Sequence, residues 1–183
     1  MSAPADVVQA MIAEWQIRKV IARYARGVDR RDGALIHDCF HPGAVTHYGV
    51  FDGDIDGFVP WVLAEMGGYF RTTHFQGTSI VDWPNDRAGS RAVVETYAIT
   101  LHEKEDGAYG RSWVGGIRYI DRFERRSLSA GLDEVWRIAE RTVVGDWLRI
   151  DPTENRRQFP KQVLNSQTGR GDPIFQVLTQ TFG

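Results

Sequence analysis

Arg91-Ala92-Val93-Val94-Glu95-Thr96-Tyr97-Ala98-Ile99-Thr100-Leu101-His102 reads as a strand. Val93, Val94, Thr96, Tyr97, Ile99 and Thr100 are β-branched or aromatic, the residue types that suit a pleated surface. Breakers flank the run on both sides: Pro84-Asn85-Asp86-Arg87-Ala88-Gly89 before it, Glu105-Asp106-Gly107 after it. Outward from the first turn, residues 72–83 alternate weakly. Outward from the second, residues 112–125 carry Trp113, Val114, Ile117, Tyr119, Ile120 and Phe123. A longer connection, 127–133, leads to a fourth strand at 135–147. Four strands joined by turns predict an antiparallel meander.

The chain before the meander has a helical period. Val7, Val8, Met11, Ile12, Trp15, Val20, Ile21, Tyr24 and Val28 predict one amphipathic helix over 6–28, with Asp6 as its N-cap and Gly27 weakening its last turn. Asp29-Arg30-Arg31-Asp32-Gly33 is a break, and Asp32 caps a short second helix through Leu35, Ile36, Cys39 and Phe40. His41-Pro42-Gly43 ends it. A short hairpin follows at 44–48 and 50–51, then a turn at Asp52-Gly53-Asp54. Ile55, Phe58, Val59, Val62, Leu63 and Met66 mark a third helix, which Gly67-Gly68 terminates. Three helices followed by a meander predict an α+β fold, with the helices on one face of a curved antiparallel sheet. After Arg149 the pattern fades at Pro152, Pro160 and Pro173, and 174–182 turns apolar again. The chain 1–183 therefore reads as one domain with a core at about 6–150 and a C-terminal arm at 151–183, laid over a neighbouring subunit or over its own pocket mouth.

Composition removes several functional classes. A length of 183 residues suits a single domain, and 42% hydrophobic with 25% charged residues is ordinary for a globular one. A net charge of −2 argues against a nucleic-acid or anionic-membrane partner. The single cysteine, Cys39, forms no internal disulfide, which fits a reducing cytoplasm. It sits in Leu35-Ile36-His37-Asp38-Cys39-Phe40 and reads as a small buried hydrophobe rather than a nucleophile. The N-terminus lacks the basic and apolar regions of a signal peptide, and no apolar run reaches the roughly 18 residues of a membrane span, so a cytoplasmic location is expected. The Gly-rich phosphate loop, the dinucleotide fingerprint and the Gly-x-Ser-x-Gly elbow are all missing.

Five histidines remain: His37, His41, His47, His74 and His102. His37 and His41 are spaced for one helix face, but Pro42 ends that helix and no further ligands stand out, so they read as helix-end histidines rather than a metal site. His74 opens the first long strand, in Thr72-Thr73-His74-Phe75-Gln76-Gly77, and Asp29 closes the first helix. Taken singly, each has a plain structural reading, as a turn aspartate and as a strand histidine. As a pair they suit proton transfer. A neutral imidazole can take a proton while a carboxylate on its far nitrogen fixes the tautomer and steadies the imidazolium.

Tyr24-x-x-x-x-Asp29, then Thr73-His74-Phe75-x-Gly77 about 45 residues later, resembles the SnoaL-like branch of the nuclear transport factor 2-like superfamily. The stretches Gly27-Val28-Asp29-Arg30-Arg31, 115–126 and 135–142 are similar to hexachlorocyclohexane dehydrochlorinase, and the likeness covers roughly 10–147. This resemblance implies a cone-shaped α+β barrel of the cystatin type, a pocket between helices and sheet, a homo-dimer or homo-trimer, and chemistry without a cofactor or metal. In the dehydrochlorinase, and similarly in scytalone dehydratase and bile acid 7α-dehydratase, an Asp–His pair drives elimination. Carried over, His74 is the general base and Asp29 its orienter. Arg141 matches an arginine that stabilises the departing group, and Tyr24 matches a tyrosine five residues before the aspartate. Two departures stand out. A second histidine known from scytalone dehydratase has no counterpart in the middle of 91–100, where Glu95, Tyr97 or Ile99 is expected to fill the space. The bile acid dehydratase arginine falls near Gly145.

The expected pocket lining is aromatic: Tyr48, Trp61, Tyr69, Phe70, Tyr97, Trp113 and Tyr119. Such a lining suits a small hydrophobic substrate, aromatic or alicyclic. The resulting expectation is a cofactor-independent lyase: a dehydratase, a dehydrohalogenase or an enzyme of a related elimination. A polyketide cyclase or ketosteroid-type isomerase would use the same pair. The rival from another class is a non-catalytic ligand-binding protein or a scaffold like the β subunits of ring-hydroxylating dioxygenases.

Overall fold

Helix α1 spans Ala5–Arg30 in the computed structural model, which describes residues 5–84, 89–104, 111–128, 133–152 and 166–182. It runs past both expected ends, so Asp6 lies in its first turn instead of capping it. Ile17, Val20, Ile21, Tyr24 and Val28 are buried, whereas Val7, Val8, Met11, Ile12 and Trp15 are exposed. The apolar stripe is thus longer than the sheet it packs on. Helix α2 spans Gly33–Asp38, and the Asp32 side chain accepts the Leu35 N–H at 3.0 Å, as its cap position requires. Gly27 serves that junction. A Cβ there would sit 2.9 Å from Ile36 Cγ1 and 3.1 Å from the Ile36 nitrogen, so glycine lets α2 close on α1. Asp38 then pairs with Arg23 of α1 and with Arg137 in the last long strand.

Strand β1 spans Phe40–His47 and begins where the helix was expected to continue. His41 therefore leaves the helix, and its Nε2 donates to the Glu124 carbonyl at 2.8 Å from a buried site. His37 stays on α2 and meets Asp56 at 3.0 Å, so the two imidazoles share no face. Asp52–Asp54, expected as a turn, is strand β2. The reversal lies at 48–51, where the Tyr48 N–H donates to Phe51 O at 2.8 Å and Gly49 has φ 77°. Helix α3 spans Ile55–Gly67, capped by the Asp54 side chain on the Gly57 N–H at 2.8 Å.

The long strands follow: β3 Arg71–Asp82, β4 Arg91–Lys104, β5 Arg111–Ser127 and β6 Glu134–Pro152. The sheet order is β2-β1-β6-β5-β4-β3. Neighbours run antiparallel except β1 and β6, which run parallel. Register shifts at Gln76/Ser79, Gly116/Ile117 and Arg122/Phe123 are bulges, which bend strands and raise their twist. The result is an α+β fold, helices packed in the concavity of a six-stranded, curved, unclosed sheet. Its core joins Ile17, Tyr24, Phe40 and Phe58 to Val94, Tyr119, Phe123 and Ile138. On β4, Ala92, Val94, Thr96, Ala98 and Thr100 are buried, while Val93, Tyr97 and Ile99 point outward.

Of the C-terminal arm, residues 166–182 are described, and 153–165 lie outside the described residues. A 3-10 turn at Gly169–Gly171 leads into helix α4, Pro173–Phe182. Asp172 accepts the Gln167 and Ile174 N–H groups and pairs with Arg30 at 2.9 Å, which fastens the arm to the end of α1. Among the described residues, no helix is long and apolar enough to cross a membrane.

Candidate active site

Asp29 and His74 meet at the end of α1. Both Asp29 oxygens are used: Oδ1 lies 2.7 Å from His74 Nδ1, and Oδ2 accepts the His74 main-chain N–H at 3.0 Å. The second bond fixes the strand backbone against the helix, so the ring's orientation does not depend on its side-chain torsions alone. Only 13% of the Asp29 side chain and 7% of the His74 side chain remain accessible. An ionised carboxylate can only accept, so Nδ1 carries the hydrogen and Nε2 presents the lone pair. The next residue but one, Arg31, has φ 54°, a left-handed conformation unusual for a side chain of its size. Its guanidinium donates to the Tyr69 carbonyl at 2.5 Å, tying the link between α3 and β3 to the helix end.

A second imidazole faces the first. His102 sits across from Thr72 in the β3–β4 register, on the same inward face as His74. The two rings meet edge to face with centroids 5.3 Å apart. Tyr69 stacks on His102 at 4.9 Å and touches Trp113 at 5.8 Å. Burial, with His74 second, pushes the His102 pKa down to about 4, so the ring is neutral at physiological pH. Its Nε2 is buried and has no hydrogen-bond partner.

Deeper in the concavity lies a tyrosine box. The Tyr24 and Tyr48 hydroxyls are 2.5 Å apart, and Tyr119 meets the Tyr24 ring edge-on at 5.9 Å. Burial raises the pKa of all three phenols, which keeps them protonated and able to donate. Arg141 passes between Tyr24 and Tyr119, 4.1 and 4.2 Å from the ring centroids. It is fully buried and bound through Nε and Nη2 to the Asp121 carboxylate, both at 2.7 Å. Burial pulls the guanidinium pKa down, and the opposing charge of Asp121 more than offsets it. Nη1 is left without a hydrogen-bond partner, and its charge acts on Tyr48.

A cavity of about 400 Å³ lies beside Asp29, between Asp29, Arg30 and Phe70–Thr72 on one side and Ser166–Thr168 of the arm on the other. Among the described residues, no cluster of three or more His, Cys, Asp or Glu side chains is placed to hold a metal ion.

A family model described as the SnoaL-like domain matches residues 9–142. The chain belongs to the SnoaL-like domain family. The structure of a hexachlorocyclohexane dehydrochlorinase (LinA type 2) superposes with a TM-score of 0.67 at 14% identity, over 85% of this chain and 99% of the other. A candidate scytalone dehydratase from Novosphingobium aromaticivorans gives 0.65 at 13% identity, over 78% and 90%. The β subunit of a candidate aromatic-ring-hydroxylating dioxygenase from the same organism gives 0.58 at 22% identity, over 76% and 93%. At these identities the likeness shows the fold, which the dehydratase, dehydrochlorinase and dioxygenase β-subunit neighbours share. No match is found among curated protein sequences.

Within this SnoaL-like domain, the residues expected at the site do not all gather there. Asp29 and His74 pair directly, and Tyr24, Tyr48 and Tyr119 join around Arg141. Tyr69 and Trp113 flank His102, and Phe70 lines the cavity beside Asp29, about half exposed. Trp61 packs with Phe51 and Phe58, at 5.1 and 5.8 Å, in an aromatic cluster behind Tyr48. Tyr97 is on the outer face of the sheet, beside Arg118. Glu95 and Ile99 share that outer phase, so none of the three fills the inner space expected of them. That space belongs to small residues and, one turn of the pleat further on, to His102. Cys39 is fully buried, its thiol donates to Leu35 O at 3.2 Å, and burial lifts its pKa to about 12.

Proposed function

We propose that this domain is a cofactor-independent lyase, which removes water or HX from a hydrophobic aromatic or alicyclic small molecule. The observation that carries the reading is the two-point grip of Asp29 on a largely buried His74, beside an open cavity that Asp29 lines. His74 Nε2 takes a proton from a carbon beside an electron-withdrawing group. Asp29 stabilises the resulting imidazolium and holds its tautomer. The C–H electrons form the new double bond as the leaving group departs with its own pair. A buried phenol, Tyr24 or Tyr48, donates to the departing oxygen or halide, and losing one such donor typically costs roughly 3–4 kcal/mol of barrier. Arg141 polarises those phenols while Asp121 balances its charge. His102, neutral beside the base, offers Nε2 as a further polar contact for substrate.

The test is turnover of cyclic β-hydroxyketones and halogenated cyclohexanes, followed by mass spectrometry. Wild type is expected to release water or HX, and His74→Asn and Asp29→Asn to lose the activity. Unimpaired variants overturn the reading. A rearranged product of unchanged mass assigns the same pair to a cyclase or isomerase instead. We also propose that the domain forms a homo-dimer or homo-trimer through the outer sheet face, where Phe75, Tyr97, Ile99 and Trp147 are exposed together. Light scattering on the purified protein tests it, and a monomer at micromolar concentration refutes it.

A further inference from the structure

Strand β3 carries His74 and, two residues further along the same face, an amide with nothing to bind. Gln76 pairs with Ala98 and His74 with Thr100 in the β3–β4 register, so both side chains stand on the inner phase of β3. Gln76 Nε2 and Oε1 are both buried, and neither has a hydrogen-bond partner among the described residues. The cross-strand neighbour, Ala98, offers a methyl group and no polar atom. Ser79 and Thr96, opposite one another further along, do satisfy each other, at 2.9 Å. A buried amide left unpaired costs free energy that a partner would return, and folded chains keep few of them. The β3–β4 register shifts between Gln76 and Ser79, a bulge of the kind that re-aims side chains beside active sites. Side chains two residues apart on one strand face stand about 6.7 Å from one another. A small carbon acid fits that interval, about 3 Å from the base at its C–H and about 3 Å from the amide at its carbonyl oxygen. His102 flanks His74 on the other side and also leaves Nε2 unpartnered. A neutral imidazole nitrogen donates or accepts according to its tautomer, whereas an amide always carries two N–H donors.

Resting on the reading of Asp29 and His74 as the proton-transfer pair, we propose that Gln76 binds the carbonyl oxygen of the substrate, and that the substrate is a β-hydroxy carbonyl compound rather than an alkyl halide. His74 takes the proton from the carbon beside the carbonyl, and the C–H pair moves onto the carbonyl oxygen as an enolate. The Gln76 N–H donates to that oxygen as its charge grows. The pair then returns to form the carbon–carbon double bond, and the β-oxygen departs with its own pair and takes a proton from a phenol. Return of the imidazolium proton restores the site. The glutamine side chain turns through its outer torsions to meet the oxygen, with no hydrogen bond of its own to break first. Its bond is strongest when the oxygen is charged, so it favours the transition state over the bound ketone. An alkyl halide has no carbonyl to take the electron pair and offers the amide no comparable acceptor.

Isotope-edited infrared spectra of cyclohex-2-enone, labelled with ¹³C at the carbonyl and bound to the full chain, test this without turnover. The enone is the product expected from 3-hydroxycyclohexanone. Wild type should lower the carbonyl stretch relative to the enone in water, and Gln76→Met should lose that shift. Gln76→Met should also unfold at the same urea concentration as wild type or a higher one, because the amide it removes has no partner to lose. With 3-hydroxycyclohexanone as substrate, Gln76→Met should lower kcat roughly 10²–10³-fold, the usual effect of removing one donor to a developing oxyanion. An enone that fails to bind, a carbonyl stretch that is unshifted in wild type or equally shifted in Gln76→Met, or a lower urea midpoint in that variant overturns the proposal. Faster turnover of a halogenated cyclohexane than of the hydroxyketone overturns the substrate class. His74→Asn separates the proposal from the catalytic reading. That variant should keep the carbonyl shift and lose turnover. If turnover survives, the catalytic reading falls and the carbonyl contact stands.

Discussion

Replacing Asp29 by asparagine changes the proton on His74 more than it changes the shape of the site. In the native arrangement Oδ2 accepts the His74 main-chain N–H at 3.0 Å and Oδ1 accepts from Nδ1 at 2.7 Å. Asparagine has the same size but one acceptor. If its carbonyl keeps the main-chain N–H, its amide NH₂ faces Nδ1, and two donors cannot share one contact. The ring must then accept at Nδ1 and carry its hydrogen on Nε2, where the substrate proton should have gone. Loss of a hydrogen bond to a charged group costs about 1.5–3 kcal/mol of stability. The catalytic loss is larger. A wrong tautomer in a comparable carboxylate–imidazole pair lowers kcat by roughly 10⁴, about 5 kcal/mol of barrier. Long-range ¹H–¹⁵N correlation spectra of protein labelled in histidine read the tautomer directly and need no substrate. At a pH where the ring is neutral, wild type should show the Nδ1–H form of His74 and Asp29→Asn the Nε2–H form. A wild-type ring protonated on Nε2, or the same tautomer in both proteins, refutes the reasoning. An inactive variant with an unchanged tautomer would leave Asp29 acting through charge alone.

Three further perturbations follow from the same network. His102 is held neutral well below the ordinary histidine value of 6.5, at about 4. The unfolded chain therefore takes up the proton first, and this group subtracts stability as pH falls from 6.5 towards 4, roughly 2 kcal/mol between pH 7 and pH 5. Urea unfolding of His102→Phe should show that much less acid sensitivity than wild type, and equal sensitivity in both refutes the assignment. Asp121→Asn strips the fully buried Arg141 of its counter-charge and should cost about 3–5 kcal/mol, a Tm drop of roughly 10 °C, whereas Asp121→Leu with Arg141→Met should recover most of it; thermal melts that place the single variant within 1 kcal/mol of wild type contradict this. For Asp172, burial alone would raise the pKa, but the Gln167 and Ile174 N–H groups and Arg30 outweigh it and hold the value below 3.8. Its contribution to docking the arm is complete above the ordinary carboxylate range and disappears as pH falls through that depressed value. Asp172→Ala should expose residues 166–182 to limited proteolysis at pH 7 while the core resists, and an arm as protected as in wild type refutes that role.

What could be read in the sequence follows from what is local. Helices α1 and α3 and the four long strands announce themselves through period, side-chain type and flanking breakers, all within a dozen or so residues. The Asp32 cap is equally local. The pairing of β1 with β6 is not, because Phe40 and Ile138 are partners across most of the chain and neither residue names the other. Asp52-Gly53-Asp54 has the composition of a turn and becomes a strand only because Val45, Thr46 and His47 lie alongside it. The Asp29–His74 pair was legible through spacing and family likeness. His102 was not, because its inward direction depends on the phase of β4, and both phases of that strand contain apolar residues.

That phase is informative in itself. A strand lying between a helical layer and water usually turns its larger apolar residues toward the helices. On β4 the inner phase carries Ala92, Val94, Thr96, Ala98 and Thr100, and the outer phase carries Val93, Tyr97 and Ile99. Small inner residues withhold volume from the concavity. The rings of Tyr24 and Tyr119 take up that volume within the core, and His74 and His102 meet edge to face further along the same inner face. Bulky outer residues, joined by Phe75 and Trp147 from neighbouring strands, leave an apolar surface that water covers poorly. The same inverted pattern thus supplies both room for the inner aromatic rings and the surface that a second copy would cover. Exchanging the phases should damage both at once: Ala98→Leu would overpack the core beside the inner rings, and Tyr97→Lys would place a charge on the outer face. If Tyr97→Lys left both solubility and oligomeric state unchanged, the outer face would be a plain solvent surface and the link between the two would fail.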